Sequence, residues 1–356
     1  RPLSGNYILV EHGFVYFEVR ALSLLAMLEA DLGRHRAMNA AAWSAVDAAG
    51  QGAHPAEWAA DAVALIAYRD LLAADPVAGK GRAEEILDAG VPVPSAAELV
   101  LRVVHGTALC DLGACAEGLA ACRSARAELG DAPVPASLLA SLTMLEQRAA
   151  LAQGGRATAA GIAQWLERRL GKTGELLVMD AWTHLFAGQY EAAAAAVEPV
   201  RAGSVPPLAA HTPVEAHLVL AEAALQSADA RTARGELDAA LALGSDLDVV
   251  RPFVLTGGRT GELLRSAPPV GVRAWFAERL TAARSVLHAE AHAPLSDREL
   301  GVLALLPSLL SAGEIAEELM VSVNTVKSHI RSIYGKIGVS SRRDAVLRAQ
   351  ERSLLS

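Results

Sequence analysis

The sequence predicts an all-α protein: an array of helical hairpins followed by a four-helix C-terminal unit. Three observations carry this. Aromatic residues make up only 4% of an Ala- and Leu-rich chain, and the Val/Ile/Thr alternation of strands is missing. A short glycine-containing turn sequence recurs between Ala/Leu stretches. A cluster of serine-led helix starts then lies near the C-terminus. At 356 residues the chain favours two or more domains.

The turn sequences punctuate residues 1–250. They are Gly-Arg-His-Arg-Ala-Met from Gly33, Gly-Ala-Cys-Ala-Glu-Gly-Leu from Gly113 and Gly-Gly-Arg-Ala-Thr-Ala from Gly154. Gly-Gln-Tyr-Glu-Ala-Ala from Gly188 and Ala-Asp-Ala-Arg-Thr-Ala from Ala228 complete the set, with a poorer copy at Gly79–Glu85. From Gly113 the intervals are 41, 34 and 40 residues. Glycine lets the backbone turn between two helices, and a small residue a few positions later lets them approach. Such periods mean helical hairpins that bury their faces by stacking.

Residues 251–294 read as a connecting segment. Arg251-Pro252-Phe253 through Leu264 breaks the pattern with Gly257, Gly258 and Gly261, and Pro268-Pro269 ends it, since proline cannot continue a helix. Gly271–Glu290 predicts a helix with Trp275, Phe276, Leu280 and Val286 on its apolar side, and Ala291–Pro294 a linker.

Residues 295–356 carry the strongest local signals. Ser296 with Glu299, and Ser311 with Glu314, are capping boxes, and Leu295 with Leu300 is a hydrophobic staple. Ser322 opens a third helix after a gap of only Met320 and Val321, which is the helix-turn-helix arrangement. Val326, Ile330, Ile333, Tyr334 and Ile337 form its apolar face. Asn324, Lys327, Ser328 and Arg331 form a second, polar stripe, as a helix lying in a DNA major groove requires. A fourth helix, about Arg342 to Arg352, has Ala345, Val346 and Ala349 on one side.

These residues resemble the LuxR-type (NarL/FixJ-like) DNA-binding domain. The matches are Leu295, Arg298, Glu299, Val302 and Leu303, then Glu314, Ile315, Ala316 and Leu319. Ser322, Thr325, Val326, Lys327 and His329 follow, then Tyr334, Lys336, Val339, Ser341, Arg342 and Ala345. Pro307, Leu309 and Gly313 depart from the pattern, in or beside the loop between the first two helices. The expected site follows from the stripe and the resemblance. Ser322, Asn324, Thr325, Lys336 and Arg342 would hold phosphates. Lys327, Ser328 and Arg331 would face base edges, with Lys327 or Arg331 suited to guanine. The resemblance implies that the fourth helix pairs two domains across a two-fold axis through Ala345, Val346 and Ala349.

The repeats resemble tetratricopeptide repeats, best in the copy carrying Trp182, Gly188, Tyr190 and Ala193. Such repeats before a LuxR-type tail are similar to the MalT-like large regulators, in which an ATPase precedes the repeats. The start Arg1-Pro2-Leu3-Ser4-Gly5 has neither an initiator Met nor the shape of a signal peptide, so the chain is expected to be part of a longer protein.

The charge balance agrees with a DNA-binding tail. The formal charge is −8, yet the stretch from Val321 onward holds seven basic residues against two acids. That leaves an excess of five positive charges there and a net −13 in the remainder. Affinity for DNA follows local positive charge.

Other chemistries are not supported. Gly171-Lys172-Thr173 ends like a phosphate-binding loop, but Leu166 stands where the earlier glycine is needed, and the preceding stretch reads as helix. Cys110, Cys115 and Cys122 read as buried thiols, and His211 and His217 as surface or capping residues, because no convergent metal ligand set accompanies them. The odd cysteine count suits a reducing cytoplasm. No catalytic constellation is found, and no apolar run is long enough to span a membrane. The expectation is therefore a cytoplasmic transcription regulator, not an enzyme, with no cofactor and no metal. Its expected partners are double-stranded DNA as a homodimer, RNA polymerase, and an inducer or protein on the repeats. The alternative is a helical-repeat scaffold whose DNA-binding tail is degenerate.

Overall fold

The computed structural model describes residues 4–256, 258–266, 274–291, 295–308, 310–337, 342–351 and 354–355. The readings on Pro268-Pro269, on 292–294 and on Leu309, Val339 and Ser341 fall outside them. The fold is all-α, with nineteen helices and no strand among the described residues.

Twelve helices form six hairpins: α1 (Ser4–Asp31) with α2 (His35–Ala49), α3 (Pro55–Leu72) with α4 (Pro76–Leu87), and α5 (Ser95–Asp111) with α6 (Cys115–Glu128). They continue as α7 (Ala136–Ala152) with α8 (Arg156–Leu170), α9 (Gly174–Phe186) with α10 (Tyr190–Arg201), and α11 (Thr212–Gln226) with α12 (Ala230–Leu247). Every hairpin closes through the same three-residue connection. Its middle residue, in turn Gly33, Ala74, Gly113, Gly154, Gly188 and Ala228, is left-handed, with φ from 61° to 94°. The middle N–H donates to the carbonyl three residues back and the next N–H to the carbonyl five back, at all six turns. This is the Schellman termination, which satisfies carbonyls left open at a helix end.

Five of these turns are the five sequence copies. The sixth corrects the copy assigned to Gly79–Glu85: the turn lies at Ala74-Asp75. Alanine there hides it from a search for glycine. The usable signal is Ala-Asp, shared with Ala228-Asp229. Asp75 accepts from the Ala78 N–H at 2.9 Å and Asp229 from the Thr232 N–H at 3.0 Å, so both cap the next helix. Gly79 instead takes the packing position five residues after the turn, occupied by Gly118, Ala159, Ala193 and Ala233 in the four hairpins that follow and by Met38 in the first, all buried. The need for small residues is sharpest between α5 and α6. A β-carbon on Gly118 would lie 2.1 Å from the carbonyl oxygen of Gly106.

The first helix of each interior hairpin faces inward. In α7 every residue from Leu138 to Leu151 is buried, so its polar groups need internal partners. Arg126 holds Glu146 with two bonds of 2.7 and 3.1 Å, and Gln147 donates to the Met179 carbonyl at 3.0 Å. Arg148 pairs with Glu215 and lies 3.4 Å from the centre of the Trp182 ring. Trp182 is thus the buried aromatic of the best repeat copy, whereas Tyr190 is only half-buried.

The segment expected to connect two domains belongs largely to the array. After Val250 donates to the Leu72 carbonyl, Arg251 clamps Asp111 at 2.7 and 2.8 Å. Phe253 of α13 (Arg251–Val254), Leu264 of α14 (Gly258–Ser266), and Phe276 and Leu280 of α15 (Ala274–Ala291) all join the array's apolar cluster. A second, separate cluster lies in the C-terminal unit.

The discounted motifs have structural roles. Gly171, at φ +71°, ends α8, and Thr173 caps α9 by accepting from the Leu176 N–H at 3.4 Å. His211 corrects the surface reading. It is buried, 3.1 Å from Ser141 Oγ, which in turn contacts the Tyr68 hydroxyl at 2.6 Å. His217 pairs with Glu236 at 2.6 Å. Cys115 and Cys122 are buried and Cys110 is half-buried; the contact with Cys115, then desolvation, pushes the Cys110 thiol upward, and desolvation pushes that of Cys122 upward. No group of three or more His, Cys, Asp or Glu that could hold a metal occurs among the described residues.

Candidate nucleic-acid interface

Four helices build the C-terminal unit: α16 (Asp297–Leu305), α17 (Ala312–Glu318), α18 (Val323–Ile337) and α19 (Arg342–Glu351). Both expected capping boxes form. Ser296 accepts from the Glu299 N–H at 3.3 Å while Glu299 accepts from the Ser296 N–H at 2.7 Å, and Ser311 and Glu314 repeat this at the same distances. Bonds from the Ser311 backbone and hydroxyl hold the exposed Glu314 carboxyl below its ordinary range. Leu295 and Leu300 are both partly buried against the core, as a staple requires.

The turn between α17 and α18 reuses the array's device. Met320 is left-handed at φ +52°, its N–H donates to Glu317 and the Val321 N–H to Ala316. The Met320 side chain is 92% exposed. Ser322 then caps α18, accepting from the Thr325 N–H at 3.1 Å and contacting its hydroxyl at 2.7 Å. Val326 and Ile333 are fully buried, with Ile330 and Tyr334 packed beside them. Burying this face fixes the rotation of α18, and Lys327 of the polar stripe is exposed.

Among the expected contacts, Ser322 and Lys327 are exposed and Thr325 is half-buried. Asn324, Ser328, Arg331 and Lys336 occupy helical positions of α18, and their side chains lie outside the described residues. The open N–H groups at the start of α18 add the positive end of a helix dipole beside Ser322. Sequence reasoning passed over Val321 and Val323, which are exposed at this end. Apolar groups here can contact a thymine methyl. Their signal was legible: Val321 precedes the helix, and Val323 lies beyond the end of the buried face.

Two expectations are corrected. Arg342 is not free to hold a phosphate. Its Nε donates to Leu306 O at 2.8 Å, Nη1 to Leu310 O at 2.7 Å, and Nη2 to Ser308 O at 2.9 Å and Leu305 O at 3.4 Å. The guanidinium therefore closes the end of α16 and the loop after it, next to the departing residue Pro307. Ala345 and Ala349 are not on a free face either: both are at 0% exposure inside the domain's own core. Small side chains there let α19 sit close to its neighbours. Val346 is partly buried, and Leu347 is the exposed apolar residue of α19.

Residues 293–349 match the model of the luxR family of bacterial regulatory proteins. The C-terminal unit is thus a LuxR-family DNA-binding helix-turn-helix domain, and it follows a long helical region. No solved structure matches the chain. No described helix is long and apolar enough to cross a membrane.

Proposed function

We propose that this chain, carrying a LuxR-family helix-turn-helix domain after a hairpin array, is a transcription regulator. It binds an inverted-repeat operator as a dimer, and the array senses a ligand or protein partner. The reading assigns it no catalytic step and places it in the cytoplasm with the genome, within reach of RNA polymerase. The observation that carries it is α18: a capped helix, rotationally fixed by Val326 and Ile333, with Lys327 exposed on the opposite stripe. Lys327, Ser328 and Arg331 would read bases, while Ser322, Asn324, Thr325 and Lys336 would fix register on phosphates. On DNA, two copies would read half-sites about one helical turn apart. Val346 with Leu347 now fits the contact between tails better than Ala345 and Ala349 do.

The closed loop after α16 speaks against a degenerate tail, since Arg342 holds together the stretch where the sequence departs from the family pattern. The test is fluorescence anisotropy of duplexes selected from a random pool by the full chain, repeated at several salt concentrations. A DNA-binding regulator yields an enriched inverted repeat whose affinity falls steeply with salt, because each neutralised phosphate releases counterions. Failure to enrich any sequence, with weak salt-insensitive binding, would return the scaffold reading.

A further inference from the structure

We infer that the outer face of α1 pairs with the same face of a second copy of this chain, forming a dimer through the first hairpin of the array. The helix is apolar on two sides. One side, including Val19, Leu22, Ala26 and Met27, packs on the array's core. The other side carries Phe14, Phe17, Ala21, Leu24 and Leu28, all exposed. Phe14 and Phe17 are each 72% exposed and Leu28 61%. A helix that is apolar all round belongs in an interior, and nothing in the described chain covers this side.

The spacing of the exposed side identifies its occupant. Positions 14, 17, 21, 24 and 28 alternate steps of three and four residues, and in sequence the same steps run back through Val10 and Tyr7. That is the a/d seam of a coiled coil, which fits the matching seam of another helix. It differs from the contacts inside hairpins two to six, where a Gly or Ala five positions past the turn brings the helices together. A seam along one helix can serve itself across a two-fold axis, as an interface between identical copies requires. Its extent is also sufficient. Covering Phe14, Phe17, Leu24 and Leu28 together with the flanking exposed Tyr16 and Leu25 removes on the order of 600–700 Å² from each copy, within the lower range of what a partner gives to a standard interface. Ala21 in the middle of the seam permits close approach of the two helices. The pairing needs no DNA, so it stands or falls separately from the proposed regulator function, and it would hold two tails together before an operator is met.

The test is sedimentation equilibrium of the full chain without DNA. The wild type is expected to be a dimer whose dissociation constant rises by on the order of a hundredfold in Leu24→Glu/Leu28→Glu, the loss typical of removing central anchors. Both positions are exposed, so helicity and melting of the variant should match the wild type, as its circular dichroism will show. Leu24→Ile/Leu28→Ile should keep the dimer, and Leu347→Glu in the tail should leave it unchanged. A chain that stays monomeric at tens of micromolar, or a dimer indifferent to Leu24→Glu/Leu28→Glu, overturns the inference. So does a dimer abolished by Leu347→Glu alone.

Discussion

Replacing Arg342 by alanine separates two roles for this side chain. As the structure has it, the guanidinium donates to carbonyls of Leu305, Leu306, Ser308 and Leu310 at 2.7 to 3.4 Å. Hydrogen bonds from a charged donor contribute about 1.5–3 kcal/mol each. These share one side chain, and the freed carbonyls can partly reach water, because Ser308 is exposed. We therefore expect a local destabilisation of about 2–4 kcal/mol, less than the sum of separate bonds. The assay is amide hydrogen exchange on the full chain, followed by mass spectrometry. Protection in α16 and α19 should fall about 30- to 1,000-fold, with the array untouched. Arg342→Lys should not rescue it, because an ammonium cannot span several carbonyls as the planar fork does. The DNA salt slope should change little. Unchanged protection, with a salt slope reduced by about one phosphate contact, would show that Arg342 holds DNA and would refute the clamp.

Other consequences are open to direct measurement. Gly188→Ala should cost about 1 kcal/mol by urea denaturation, since the turn is left-handed but spacious, whereas Gly33→Ala should cost more because its β-carbon would lie 2.4 Å from that of Ala210. Equal costs would mean that strain alone sets the penalty. In the same denaturation Trp182→Ala should lose roughly 3–5 kcal/mol and Tyr190→Ala only about 1 kcal/mol, because Trp182 is buried and Tyr190 is not. Burial lowers His35 to about 4 and His211 to about 3. The unfolded chain then takes up protons near pH 6.5 while the fold refuses them. Stability should fall as pH drops from about 6.5, by on the order of 3 kcal/mol per histidine at pH 4. A His35→Gln/His211→Asn variant whose stability curve over this range matches the wild type would contradict this.

Much of the fold was legible because one physical device repeats. Left-handed turns favour glycine, and four of the six array turns carry it. Ala74 escaped because alanine tolerates the conformation at a modest energy, and only the capping Asp75 remains as a sign. The C-terminal unit was legible from its caps, since Ser296, Glu299, Ser311 and Glu314 meet across three residues. Long-range partners were not. Nothing local says that Arg342 reaches back to Leu306, or that Arg251 returns to Asp111 across 140 residues. Basic residues near a DNA-binding helix look alike in sequence whether they face phosphate or carbonyl. Small residues look alike too: Ala345 and Ala349 suit a close contact, and the contact is inside the domain. Tyr190 stands at a repeat position yet is only half-buried, because burial there depends on how neighbouring hairpins stack.

The central claim is that the polar stripe of α18 reads base sequence. Its most direct test is the affinity of Arg331→Ala for the selected inverted repeat and for a scrambled duplex of equal length and salt. The account predicts a loss of about 1–3 kcal/mol on the specific duplex, relaxed preference at one base position per half-site, and little change on the scrambled one. Equal weakening on both duplexes would contradict it, reducing Arg331 to a phosphate contact and leaving α18 without its role in base recognition.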